Sequence, residues 1–288
     1  MLKIDSKKST LFKNTAFLYI LTFSNYLFSF LTVPYQTRIF GQSIYGVIGF
    51  AASVSVYFQL ILDFGFILSA TEEVSKNKDD KRRLGQILKA VNISKTILMI
   101  LSLIVLIVIC MSVKTFRDEY MLHILYFVSI AVNCYMPDFL YRGLEDMKVI
   151  TYRSVGVKFF FMLMIFVVLK DKTQYYLVPI LSTIGSLGAL FIVYHDLHKR
   201  VGIKSEKVTR SYVIETLKKS SMFFYSRIAG TVQGVTNTFI LGMIYPGAAV
   251  VGLFSCSDKL ITTARSAFGP ISDSLYPYMI KHKDFKLV

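Results

Sequence analysis

Residues 96–113 read TILMILSLIVLIVICMSV, eighteen positions without a charge. A helix rising about 1.5 Å per residue needs roughly 20 such residues to cross the hydrocarbon of a bilayer. The rest of the 288-residue chain agrees with that reading. It is 54% hydrophobic and 18% charged, with a mean hydropathy of +0.53. Soluble domains carry about 25% charged residues, so this chain lacks the charge that water-facing surfaces require. The composition predicts an all-α, polytopic membrane protein.

Working outward from 96–113, the apolar runs predict eight helices, at about 11–33, 44–70, 86–113, 119–140, 149–169, 174–194, 215–245 and 248–278. The first run follows Lys7 and Lys8 but is too long for a signal peptide, and no small-residue cleavage site follows it, so it reads as a retained helix. An even number of spans puts both termini on one side. Lys and Arg then number four through Lys13, six in 71–89, three in 141–153, seven in 195–219 and three in the C-terminal tail. The opposite side holds only Arg38, Lys114, Arg117, Lys170 and Lys172. Basic loops stay in the cytoplasm, which predicts that both termini are cytoplasmic.

This layout excludes several classes of function. The outer loops are too short for a folded domain, and the chain has no phosphate-binding loop, no HExxH and no Asp-rich metal cluster. No catalytic residue, cofactor or metal site is predicted, and a membrane polymerase or ligase would need a larger outer loop. The net charge of +15 is spread between apolar segments with no nucleic-acid-binding motif, so nucleic acid is not an expected partner. Cys110, Cys134 and Cys256 lie in apolar stretches without paired spacing and read as buried thiols. Any activity must lie among the helices.

A shift of 206 residues lays 11–50 over 217–256, matching Lys13 with Lys219, Phe17 with Phe223, Tyr19 with Tyr225, Gly41 with Gly247 and Gly46 with Gly252. Both copies begin on the predicted cytoplasmic side, as parallel repeats related by an axis along the membrane normal do. Two similar amphipathic hairpins are the alternative. The repeat divides the chain into a six-helix lobe, 1–200, and the first two helices of a second lobe, 201–288.

Five stretches, VPYQTRIFGQSIYGVIGF (33–50), LDFGFILSATEEVSKNKDDKRRL (62–84), YRGLEDMKVIT (141–151), SRIAGTVQGVTNTFILG (226–242) and GPISDSLYPYM (269–279), occur in this order. Together they resemble the polysaccharide biosynthesis flippases, the O-antigen and capsule transporters of the multidrug/oligosaccharidyl-lipid/polysaccharide exporter superfamily. The resemblance implies a transporter in the bacterial inner membrane that moves undecaprenyl-diphosphate-linked oligosaccharide between leaflets. It implies two six-helix lobes around a cavity that opens alternately to each side, with membrane lipids, a polysaccharide polymerase and chain-length proteins as partners. Such proteins usually have twelve or fourteen helices, so a C-terminally truncated form is expected, and a non-functional fragment is one alternative. A drug or cation exporter of the same superfamily is another, though it would be expected to carry acidic rather than basic groups deep in its lobes.

Charges inside the spans are the candidate site. Arg227 lies about 15 Å from the near end of the seventh helix, and Lys259 about 16 Å into the eighth. Neither reaches an interface easily. Ser255, Asp258, Thr262, Arg265, Gly269 and Ser272 follow steps of three and four and form a polar stripe bordered by Lys259. Asp258 stands at neither i+3 nor i+4 from Lys259 or Arg265, so it compensates them only in part. Pairing with another helix is one reading; the other is a cationic wall for the anionic diphosphate headgroup. The matching first-lobe positions, Leu21, Ser53 and Gln59, are uncharged. Arg265, nearer the cytoplasm, suits snorkelling equally well, and Lys95 and Lys158 are expected to snorkel. Asp63 reads either as a helix-end contact or as an ion-coupling carboxylate. Glu145 and Lys148 are expected to form a local helix pair.

Overall fold

A computed structural model describes the backbone of residues 2–203 and 206–267, with side chains from 13 to 262 other than 204, 205, 229 and 233. Described residues are 89% helical, with no strand among them. In chain order the helices are α1 (Leu2–Asp63), α2 (Phe66–Lys76), α3 (Lys81–Ser112), α4 (Lys114–Asp118), α5 (Tyr120–Cys134), α6 (Asp138–Gly143), α7 (Met147–Val168), α8 (Leu177–Asp196), α9 (Arg210–Ile244) and α10 (Ala249–Ala267).

Gly41 breaks α1 with left-handed backbone, φ 74° and ψ 174°. Asn25 and Val56 line one cavity. A straight helix would hold them about 46 Å apart at about 1.5 Å per residue. The chain therefore folds back at Gly41, and α1 supplies the first two predicted spans as two arms. The segments Lys13–Lys76, Lys81–Ser112, Tyr120–Gly143, Met147–Val168 and Lys172–Val201 are long and apolar enough to cross a membrane, and at 64 residues the first suffices for two crossings. α9 and α10 form where the seventh and eighth helices were predicted, and both carry polar residues along their length. Their polar faces need protein or a cavity rather than lipid beside them.

The apolar stretch 96–113 shows the membrane logic most directly. Ile97, Ile100, Leu101, Ile104, Val108 and Met111 lie outward and are exposed, while Ser102, Leu106 and Cys110 recur every fourth position and are buried. In water such a face would be a liability; in lipid it is the solvent-facing surface.

The fourth predicted span, 119–140, is interrupted. Pro137 has no N–H and cannot continue a helix, so α5 ends at Cys134 and α6 starts at Asp138. Carbonyls freed inside a membrane must find donors. Lys95 Nζ donates to the Cys134 carbonyl. The Tyr194 hydroxyl donates to the Tyr135 carbonyl at 3.2 Å. Lys95 is thus 4% exposed and caps a broken helix, where snorkelling was expected. The hydrogen bond to that carbonyl and the Phe139 ring, 5.7 Å from Nζ, hold it inside.

The loops predicted to share a side do so. Lys78 pairs with Glu145 at 2.5 Å, Arg200 with Asp146 at 2.7 Å and Arg82 with Glu206 at 3.7 Å. Glu73 accepts from Arg83 at 2.8 Å and from the Tyr212 hydroxyl at 2.6 Å. At the opposite end the hydroxyls of Tyr175 and Tyr176 donate to Glu119 at 3.0 and 3.1 Å. Glu145 therefore pairs across loops, with Lys148 lying over the Tyr152 ring instead. Its backbone at φ 61° turns the chain out of the helix, so the i+3 pairing geometry never forms.

α10 and α9 pack on the second arm of α1. A Cβ on Gly46 would stand 2.9 Å from the Gly252 nitrogen, one on Gly49 2.8 Å from Ser255 Cβ, and one on Gly242 2.6 Å from Phe50 Cγ. Gly46 with Gly252 and Gly49 with Ser255 are both pairs related by the 206-residue shift. Gly41 and Gly247, also related by it, share left-handed turns at φ 74° and 68°. Matching positions meet each other, as they do beside a two-fold axis.

Candidate functional site

Both arms of α1 join α5, α7, α8, α9 and α10 around a cavity of about 520 Å³. The predicted stripe on α10 faces it: Ser255, Asp258 and Thr262 all line the wall, with Lys259 beside them. From α7, Lys158 reaches the same space, and its Nζ donates to Asn25 Oδ1 of the first arm. Lys158 and Lys259 are within electrostatic reach of each other across the cavity. Gln36, Tyr45, Tyr126 and Thr238 add amide and hydroxyl groups. Two ammonium groups, one carboxylate and several hydroxyls form a lining suited to a hydroxyl-rich ligand with an anionic group.

A second, smaller cavity of about 150 Å³ lies at the break between α1 and α2. Asp63, Lys95, Asp138 and Arg227 line it together. Phe64 and Gly65 take left-handed backbone there, φ 36° and 77°, and Phe64 stacks on Phe224 of α9 at 4.8 Å. This break turns Asp63 toward the charges around it. Asp138 accepts two hydrogen bonds from Arg153, one of them at 3.1 Å. Asp63 interacts electrostatically with Lys95, Arg227 and Asp138. Arg227 Nη1 is buried and has no hydrogen-bond partner among the described residues. Two cations and two carboxylates thus line this cavity, and Asp138 is further paired to Arg153. No group of three metal-ligating side chains occurs among the described residues.

Arg227 and Lys259, matched in depth by sequence reasoning, line different cavities. Arg227 joins Asp63, whereas Lys259 and Asp258 join Lys158. The side chain of Arg265 lies outside the described residues, as do Gly269 and Ser272. Sequence reasoning missed Lys158, because its distance from Arg153 suggested an escape to the interface. The available signal was spacing: Lys158 and Phe161 are three apart, one turn of a single face, and both line the cavity. The Asp138–Arg153 pair had no sequence signal, since the break at Pro137 brings these residues together.

The family model described as polysaccharide biosynthesis protein matches residues 11–283. Two curated relatives carry the name "Putative O-antigen transporter". The one from Escherichia coli (strain K12) is 26% identical over 279 residues, covering 95% of this chain and 66% of that protein. The one from Shigella dysenteriae is 23% identical over 276 residues, covering 95% and 68%. The chain spans about two thirds of the length of the curated relatives it matches. No solved structure matches it. With the family match covering residues 11–283 and five segments long and apolar enough to cross a membrane, the chain is a multi-pass membrane protein belonging to the polysaccharide biosynthesis protein family.

Proposed function

We propose that the chain serves as a flippase in the bacterial inner membrane, moving undecaprenyl-diphosphate-linked oligosaccharide repeat units for O-antigen, capsule or exopolysaccharide assembly. The observation that carries this reading is the cavity that Lys158 and Lys259 face from two helices, beside Asp258 and a set of hydroxyls. Each charge-assisted hydrogen bond to a phosphate contributes about 1.5–3 kcal/mol. Residues 1–200 form one lobe and 201–288 the start of a second, so the ligand lies between them. Both termini face the cytoplasm, where the basic loops meet, and a polymerase and chain-length proteins act next. Asp63, whose carboxylate accepts no hydrogen bond from a described residue, is the ion-coupling group, and Arg227 and Lys95 tune it.

The test is complementation in a strain lacking its own transporter. Lys158→Ala and Lys259→Ala should each lower surface polysaccharide about tenfold or more, one tenfold step corresponding to about 1.4 kcal/mol. Unchanged polysaccharide with both replaced would reject the headgroup role.

A further inference from the structure

A further cavity lies on the outside of the bundle. It is a groove of about 640 Å³ between α7 and α8, bordered by Val149, Tyr152, Phe160, Ile184 and Ile192. Tyr152, Ile184 and Ile192 are 50–66% exposed. Along α7 the groove runs from Val149 to Phe160, roughly 17 Å at about 1.5 Å per residue. That is about half of a hydrocarbon core of roughly 30 Å, the depth of one leaflet. Its near end is the basic-loop end, marked by Arg153 and Asp196. Gly156 and Gly188 keep it open, since a Cβ on either would meet nothing within 4 Å.

Its dimensions restrict the occupant. A partner helix needs a cylinder about 10–12 Å across, more than 640 Å³ over that length provides. A single hydrocarbon chain fits. At the mouth, Lys148 lies over the Tyr152 ring, while Arg153 is taken by Asp138 and Asp196 by Arg200 and Tyr141. The charges at the mouth are thus engaged within the protein. The same two helices also wall the central cavity: α7 turns Lys158 and Phe161 inward and Gly156 and Phe160 outward, and α8 turns Val178 and Ser182 inward and Ile184 and Ile192 outward. The seam between groove and cavity is narrow, with Gly185 set against Phe160 and Val157 at 3.2 and 3.3 Å from a would-be Cβ.

From this shared wall we infer that the α7–α8 groove holds the polyprenyl chain of the lipid-linked substrate while its diphosphate engages the cavity behind. The inference rests on the flippase reading. A hydrocarbon tail remains in the leaflet at the basic-loop end, pressed against the outer face of the helices whose inner face presents Lys158. Gly185 marks where head and tail would be joined across the seam.

The experiment uses the full chain in nanodiscs with a polyprenyl diphosphate bearing a diazirine on its chain. Crosslinks should map to 149–160 and 184–192, compete with unlabelled undecaprenyl diphosphate, and fall at least fivefold in Gly156→Leu/Gly188→Leu. These leucines enter open space, and the crosslink map of the unaltered chain stands without them. Crosslinks mapping elsewhere while the probe still binds would overturn the groove and leave the flippase reading standing. No specific binding of the probe would overturn both. Equal labelling of the groove by a diazirine phospholipid, uncompeted by undecaprenyl diphosphate, would assign the groove to bulk lipid and overturn the inference.

Discussion

Lys95, Lys158 and Arg227 show how basic residues take different roles at membrane depth. Each has a long apolar stem and a charge that lipid will not hold, yet the structure gives each a distinct setting. Lys95 caps the Cys134 carbonyl left by the break at Pro137. Lys158 bonds Asn25 and faces the large cavity, and Arg227 joins Asp63. The Asp138–Arg153 pair, with side chains 24% and 11% exposed, holds α6 against α7. Asp138→Asn should therefore leave Arg153 uncompensated. Partial exposure reduces the cost from the 3–5 kcal/mol of a fully buried pair to about 2 kcal/mol. A thermal melt of the purified protein would show this as a lower midpoint, and Asp138→Asn/Arg153→Gln should recover part of the loss. A single variant as stable as the parent would remove the pair from the account. At this scale the sequence was only half legible. It marked Arg227, Asp258 and Lys259 as charges needing partners, but naming the partners required knowing where helices break.

Helix–helix packing turns on small residues. Gly46 and Gly252 bring the second arm of α1 and α10 to backbone contact, where Gly252→Ala would drive a Cβ into the Gln42 carbonyl. Backbone cannot yield as a side-chain end does, so overpacking here should cost about 1–3 kcal/mol. Gly230→Ala meets nothing within 4 Å and should be neutral or slightly stabilising, since alanine favours a helix by up to about 1 kcal/mol. Detergent-stability measurements on the two variants check the contrast, and equal stability would deny the close crossing. Most elements were readable beforehand, because apolar runs fix helices whatever they pack against. All of the run at 96–113 except Val113 falls within α3, and 149–169 is nearly coincident with α7. The break at Tyr135–Pro137 and the one at Phe64–Gly65 were not readable. A proline or glycine within an apolar run signals a bend, but whether the helix ends there depends on side chains elsewhere that satisfy the freed carbonyls.

For the whole molecule, charge asymmetry and the 206-residue repeat were the signals in the sequence that bear on architecture. The basic loops gather at one end through pairs such as Lys78–Glu145 and Arg200–Asp146. If that end is cytoplasmic, Lys172→Cys in intact cells should react with a membrane-impermeant maleimide and Lys78→Cys should not. The reverse pattern would invert the topology. Glycines matched by the repeat share turns and meet in space, so its weak identities carried real geometry. The cavity between α7 and α10 was foreseen only from one side, since Lys259 was visible as a cation too deep to escape while Lys158 was not. The claim that joins these levels is that paired cations from two helices hold an anionic lipid head during its crossing. The most direct measurement is the share of lipid-linked oligosaccharide reaching the outer leaflet, read by externally added glycosidase in cells that depend on this chain. Lys158→Ala/Lys259→Ala, present in the membrane at the parent's level, should leave at least nine tenths of that lipid protected inside, about a tenfold loss. Outer-leaflet lipid at the parent's level in that variant would contradict the account.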